Sequence, residues 1–193
     1  MNQILEIRWH GRGGQGVKTA SLLLAEAAFT AGKHIQGFPE YGPERMGAPI
    51  ACYNRISDEP IYAHSNIYEP DLVAVADETL LGPVPVTAGL PETGAIVVNS
   101  DEEPEALREK LGYAGKIYTI AANRISEEEL GKVFPNVPMM AAVVKASNLM
   151  GDDDFYALME KLFRKKFATK PAVIDGNLRA LKRSLQEIGR AHV

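Results

Sequence analysis

The sequence predicts an α/β fold: a Rossmann-like, mostly parallel sheet flanked by helices, with a helical C-terminal third. Three observations carry this reading. Short apolar runs alternate with segments of helical period through the first two thirds of the chain. A glycine-rich turn joins the first of those runs to the first helical segment. From Pro138 onward strand signals cease and one helical pattern follows another. The 193 residues are 46% hydrophobic and 24% charged, which is the composition of a chain with a core rather than of a disordered one. The length fits a single domain over residues 1–193.

The elements follow in order. Residues 4–9, ILEIRW, are β-branched and aromatic and predict a strand. Gly11-Arg12-Gly13-Gly14-Gln15-Gly16 is the turn, and Val17, Ala20, Leu24, Ala27, Ala28 and Ala31 then recur at helical spacing up to Gly32. A second strand is expected over His34–Phe38. Phe38–Pro49 carries three prolines and two glycines without either period, so it predicts a loop. Ile50–Ile56 reads as a strand and Pro60–His64 as its partner. Leu72–Ala76 and Ala95–Val98 are unbroken apolar runs, as strands buried on both faces require. Leu81–Gly94, with three prolines, predicts loop, and Ile117–Ala121 a further short strand. Helices are expected over Glu103–Leu111 and over Ser126–Val133, the latter opening on the capping-box string SEEE. Pro138–Gly151 is apolar nearly all round and predicts a buried helix. An amphipathic helix starts near Asp152–Asp154, where acids suit the helix dipole. Leu178, Leu181, Leu185 and Ile188 mark the last helix, with Asp175 or Asn177 as its cap.

Composition excludes several classes of function. The net charge of −4 does not announce nucleic-acid binding. One cysteine, Cys52, cannot close an internal disulfide, hold an iron–sulfur cluster or build a cysteine-based zinc site. No apolar run is long enough to span a membrane, and residues 1–6 lack the order of a signal peptide, so a cytoplasmic location is expected. Neither a G-x-S-x-G elbow nor an H-E-x-x-H pair is present. Cys52 lies in an apolar strand pattern and reads as a small buried hydrophobe. His10 abuts the glycine turn, where it either meets a ligand or packs at the strand end.

Gly11-x-Gly13-x-x-Gly16 fits G-x-G-x-x-G, after a strand and opening a helix. Such a turn brings backbone N–H groups to an anion at the start of a helix dipole. A nicotinamide dinucleotide would also need an acid about 20 residues on, at the end of the second strand. Glu26 falls inside the helix, and Glu40 falls in the Pro/Gly loop. A Walker loop nearly fits through Gly11, Gly16, Lys18 and Thr19, but Val17 intrudes and turns Lys18 by about 100° around the helix. Asp77 is the one candidate for its metal-binding aspartate. The residues alone leave phosphate binding, through Gly11, Arg12, Gly13, Gly14, Gln15, Gly16 and Lys18, and a turn that only packs as open alternatives. In the loop, Tyr41, Gly42, Pro43, Glu44 and Arg45 are candidate contacts for a ligand or partner, and Arg45 with Arg12 suits an anion.

GRGGQGVKTASLLLAEAA, followed by FPEYGPERMGAPI, closely resembles the gamma subunit of 2-oxoacid:ferredoxin oxidoreductases, the pyruvate synthase group. The resemblance extends through Pro138–Met150 to the closing NLRALKRS. It implies a subunit of an enzyme that oxidatively decarboxylates a 2-oxoacid, most typically pyruvate, with coenzyme A, giving acyl-CoA, carbon dioxide and reduced ferredoxin. It implies alpha, beta and delta partner subunits, with thiamine diphosphate and iron–sulfur clusters held by them and no cofactor held by this chain. For this chain it implies an architectural role and coenzyme A binding at the glycine turn, with Tyr41–Arg45 facing the thiamine-binding subunits and no catalytic residue of its own. A branched-chain 2-oxoacid is the alternative substrate. A stand-alone nicotinamide-dependent oxidoreductase is the alternative from outside the family.

Overall fold

A computed structural model describes residues 4–40 and 46–189. Six strands form one mixed sheet: β1 (Leu5–Arg12), β2 (His34–Pro39), β3 (Pro49–Ser57), β4 (Leu72–Val75), β5 (Ala95–Asn99) and β6 (Lys116–Ile120). Their order across the sheet is β2-β3-β1-β4-β5-β6. The pairs β1–β4, β4–β5 and β5–β6 are parallel, and β3 runs antiparallel to both of its neighbours. The sheet is therefore parallel over one half only. The helices are α1 (Val17–Thr30), α2 (Pro104–Leu111), α3 (Ala122–Leu130), α4 (Asn136–Ser147), α5 (Asp152–Lys166) and α6 (Pro171–Glu187).

The unbroken apolar runs are explained by where alternate residues go. Leu72 and Ala74 of β4 join the core under α1 and α4, while Val73 and Val75 join a second core on the opposite face, against Leu107 of α2. α4 is apolar all round because it is buried all round: Met139 to Val144 are each 1% exposed or less. It lies against the sheet on one side and against α1, α3 and α6 on the others. α5 and α6 close that layer with Phe155, Met159, Phe163, Leu178 and Leu181.

α4 stops at Ser147, with Asn148 in the left-handed conformation, rather than running on to Gly151; three further features differ from the sequence reading, each for a local reason. α3 begins at Ala122, so Ser126 is its fifth residue and no cap. Its hydroxyl donates to the Asn123 carbonyl and accepts from Phe134 N–H. α6 begins at Pro171, a residue pre-shaped for a first helical position, and Asn177 lies mid-helix with its amide on the Val173 carbonyl. Pro60–His64 forms no strand. The Gln36 side chain takes the carbonyls of Ile61 and Ala63, so the segment is pinned by a side chain rather than by a backbone ladder.

Candidate functional site

The glycine turn lies at the C-terminal end of β1, beside the end of β4. That is the crevice where open α/β sheets bind ligands. β1 and α1 meet so closely at Gly11 that a Cβ there would stand 2.2 Å from Val17 Cγ2. Gly16 is the N-cap of α1 with φ 77°, and a Cβ on it would meet the Phe134 ring at 2.7 Å. Gly14, with φ 99°, faces only the flexible tip of Met46. Gly13 is zipped to the far side of the turn: its N–H donates to Ala48 O and its carbonyl accepts from Gly47 N–H.

Behind the turn is a polar clamp. Gln15 Oε1 accepts from Arg12 N–H at 2.7 Å, and Gln15 Nε2 donates to Asp77 Oδ2 at 2.7 Å. Asp77 sits two residues past the end of β4, accepts from Thr79 N–H and hydroxyl, and pairs with Arg12 Nε at 3.2 Å. Arg12 also donates to Thr79 Oγ1 and Gly47 O. Burial alone would raise the Asp77 carboxyl, but the hydrogen bonds of Thr79 and Gln15 and the Arg12 guanidinium hold it below the ordinary carboxylate value. The expected site thus divides in two. Gly11, Arg12 and Gln15 support the turn from behind, with Arg12 already engaged. Gly13, Gly14, Gly16 and Lys18 line a cleft of about 450 Å³ in front, with Met46 and Phe134 as its other walls.

The cleft suits an anion. The first helical bond of α1 runs from Ala20 N–H to Gly16 O, which leaves the N–H groups of Val17, Lys18 and Thr19 for an outside acceptor. No side chain caps that helix start and no acid lies in its first turn. The N-terminus of α4 adjoins it, with Asn136 Cβ 3.2 Å from the position a Cβ would take on Gly16. The N–H groups that open on the cleft are those of α1, with the exposed Lys18 beside them. Tyr41, Gly42, Pro43, Glu44 and Arg45 lie outside the described residues, and with them the expected Arg12–Arg45 pairing. Among the described residues, no three His, Cys, Asp or Glu side chains gather as a metal site would need.

The acids weighed for a nicotinamide dinucleotide are poorly placed for it. Glu40 does follow β2, but β3 is inserted between β2 and β1, so Glu40 stands two strands from the turn and accepts from the Tyr53 hydroxyl at 3.0 Å. Glu26 is exposed on α1.

His10 packs at the strand end. Its Nε2 accepts from Arg8 Nε at 3.1 Å, and burial together with the Arg8 charge lowers its pKa to about 4. The folded state therefore holds His10 neutral, while an unfolded histidine titrates near 6.5. Between those values the unfolded chain binds the extra proton, so stability falls as pH drops from about 6.5 towards 4, by up to about 3 kcal/mol. His10→Asn, which keeps an acceptor and does not titrate, is expected to remove that part of the acid dependence in urea titrations at pH 7 and pH 4.5. Sequence reasoning noted Asp77 but missed its link to Gln15. It missed Met46 as well, and also Phe134 and Asn136, since nothing local announces that residues about 120 positions from the turn fold against it.

Residues 6–187 match the family described as pyruvate ferredoxin/flavodoxin oxidoreductase. The chain is 47% identical to "Pyruvate synthase subunit PorC" of Thermotoga maritima, over 95% of this chain and 94% of that one. It is 42% identical to "Pyruvate/ketoisovalerate oxidoreductases common subunit gamma" of Thermococcus litoralis, over 88% of this chain and 92% of the relative. The crystal structure of the pyruvate oxidoreductase subunit PORC from Thermotoga maritima superposes with a TM-score of 0.83 at 44% identity, covering 96% of this chain and 97% of that chain. With the family matched across nearly every element of the fold, the chain belongs to the pyruvate ferredoxin/flavodoxin oxidoreductase family and is a gamma-type subunit of it.

Proposed function

We propose that this gamma subunit serves a complex that oxidises a 2-oxoacid with coenzyme A and ferredoxin, and that its own chemical task is to hold coenzyme A at the glycine turn. The balanced reaction takes one 2-oxoacid, one coenzyme A and two oxidised ferredoxins to one acyl-CoA, one carbon dioxide, two reduced ferredoxins and one proton. Thiamine diphosphate on a partner subunit supplies the decarboxylation, and iron–sulfur clusters on partners carry the electrons. A chain with one cysteine, buried in β3, is not suited to holding a cluster. Pyruvate is the substrate favoured by the name of the Thermotoga relative, and the name of the Thermococcus relative joins ketoisovalerate to it. One gamma subunit serving both a pyruvate and a branched-chain enzyme fits those names. Residues Tyr41–Arg45 are assigned to the side that faces the thiamine-binding subunits.

The observation that carries the coenzyme A role is the uncapped, acid-free start of α1 opening into a cleft beside Lys18. A diphosphate there accepts from the spare N–H groups and meets a favourable dipole. Gly14→Ala tests it best, because the added methyl meets only the end of Met46 and occupies the cleft itself. In the assembled enzyme the KM for coenzyme A is expected to rise about 10-fold, as for loss of one charge-assisted contact, with the KM for the 2-oxoacid unchanged. Equal changes in both, or loss of assembly, would assign the turn to subunit packing instead.

A further inference from the structure

β4 runs parallel to β1 with Val75 opposite His10, so Asp77, two residues further on, stands level with Arg12. Each oxygen of its carboxylate has donors of its own. Oδ1 accepts the N–H and the hydroxyl of Thr79 at 2.9 and 2.6 Å, and Oδ2 accepts from Gln15 Nε2 at 2.7 Å with Arg12 Nε 3.2 Å away. Gln15 cannot turn its amide over, because its Oε1 takes the Arg12 N–H at 2.7 Å. Its backbone N–H returns to the Arg12 carbonyl at 3.1 Å, so side chain and main chain both close the turn. Gln15 immediately precedes Gly16, the N-cap of α1. The aim of the first N–H groups of α1 is thus referred, through one amide, to a carboxylate beyond a different strand. The Arg12 guanidinium is spent on the same frame: besides Asp77 it donates to Thr79 Oγ1 at 2.8 Å and to Gly47 O at 3.0 Å.

We propose that Asp77 is the positioning residue of the glycine turn: its carboxylate fixes the Gln15 amide and the Arg12 guanidinium, and with them the aim of the α1 N–H groups into the cleft. Arg12 is then a strut of that frame. This rests on the reading of the turn as the seat of coenzyme A. The role demands an acceptor at both oxygens. Asp77→Asn sets its new amide either against Gln15 Nε2 and Arg12 Nε or against Thr79 N–H, so a donor always faces a donor. Moving the carboxylate across the gap repairs this. In Gln15→Glu/Asp77→Asn one oxygen of the new carboxylate takes Arg12 N–H, the other accepts from the new amide, and the amide oxygen keeps Thr79 N–H.

The test measures KM for coenzyme A and for the 2-oxoacid in the assembled enzyme. Asp77→Asn is expected to raise the first about 10-fold and leave the second alone, and the double variant Gln15→Glu/Asp77→Asn returns it to within about 2-fold of wild type. Gln15→Glu alone sets two carboxylates side by side, with Arg12 of β1 the charged group that faces them and Glu78 turned to the Ser100 hydroxyl. Such a pair holds a shared proton well above the ordinary carboxylate range. That proton restores a donor, so the KM of this variant for coenzyme A, taken relative to wild type at each pH, is expected to fall severalfold from pH 8 to pH 6. The double variant shows no such trend. The profile is read within one folded variant, so it stands if Asp77→Asn fails to assemble. A double variant no better than Asp77→Asn, or a Gln15→Glu penalty that ignores pH, would overturn the assignment. Wild-type KM values throughout, with Gly14→Ala still impaired, would overturn it and leave the turn reading intact. An unimpaired Gly14→Ala would overturn the turn reading and this assignment together.

Discussion

Gly16→Ala is expected to cost the fold about 3 kcal/mol, against about 1 kcal/mol for Gly14→Ala two residues away. Both glycines have positive φ, so both pay the left-handed penalty of an L residue. They differ in what the new methyl meets. At Gly14 it touches the thioether end of Met46, which swings aside. At Gly16 it would stand 2.7 and 2.9 Å from two carbons of the Phe134 ring and 3.2 Å from Asn136 Cβ, so the ring has to turn aside and the start of α4 has to give. Phe134 is fixed through its N–H on Ser126, and Asn136 opens α4 against the sheet. Urea unfolding of the two variants should show the Gly16 midpoint shifted about three times as far, with similar slopes. Equal shifts would mean that the α1–α4 contact is looser than the structure has it.

Trp9→Ala is expected to be the most damaging single truncation, at about 4 kcal/mol. Trp9 is 1% exposed in the core under α1. Its indole N–H donates to Asn54 Oδ1 at 2.8 Å, and Asn54 Nδ2 donates to Ser21 O of α1. One tryptophan thus joins β1, β3 and α1 around the base of the glycine turn. Trp9→Phe keeps most of the packing but orphans Asn54 Oδ1 in a fully buried place, which costs about 2 kcal/mol. The restoring double variant Trp9→Phe/Asn54→Val is expected to recover part of that loss, because it removes the orphan along with its partner. A double variant no better than the sum of its singles would show that the Trp9–Asn54 bond is not the cause.

Period and turn chemistry made much of this structure readable in advance. β1, α1 and the glycine turn announce themselves through ILEIRW, the six-residue turn and the alanine-rich period. β4, β5 and α4 do so through apolar runs whose residues have core on every side. The antiparallel β3 was not legible, since Pro49–Ser57 carries no mark of its direction or of its place between β2 and β1. SEEE misled because Ser126 spends its hydroxyl inside α3 and on Phe134, a bond set by tertiary structure. Arg12 was readable as a phosphate ligand by charge alone. Only the fold shows that Asp77, 65 residues on, already holds it. The hollow that Asn136 lines beyond Phe134 draws its walls from α1, α3, α4, α5 and α6, so it exists only once five helices are assembled.

The lone thiol of Cys52, sealed in β3 at 1% exposure, makes the native chain a blank canvas for labelling chemistry. A maleimide reaches thiols that water reaches, and on this subunit the folded state shows it none. A cysteine introduced at exposed Lys18 or at Lys132 then becomes the sole address on the chain for a fluorophore or spin label, with no native residue to remove first. Alkylation of Cys52 itself becomes a clock: its rate counts how often β3 parts from its neighbours, and so times the opening of the strand that underlies the glycine turn.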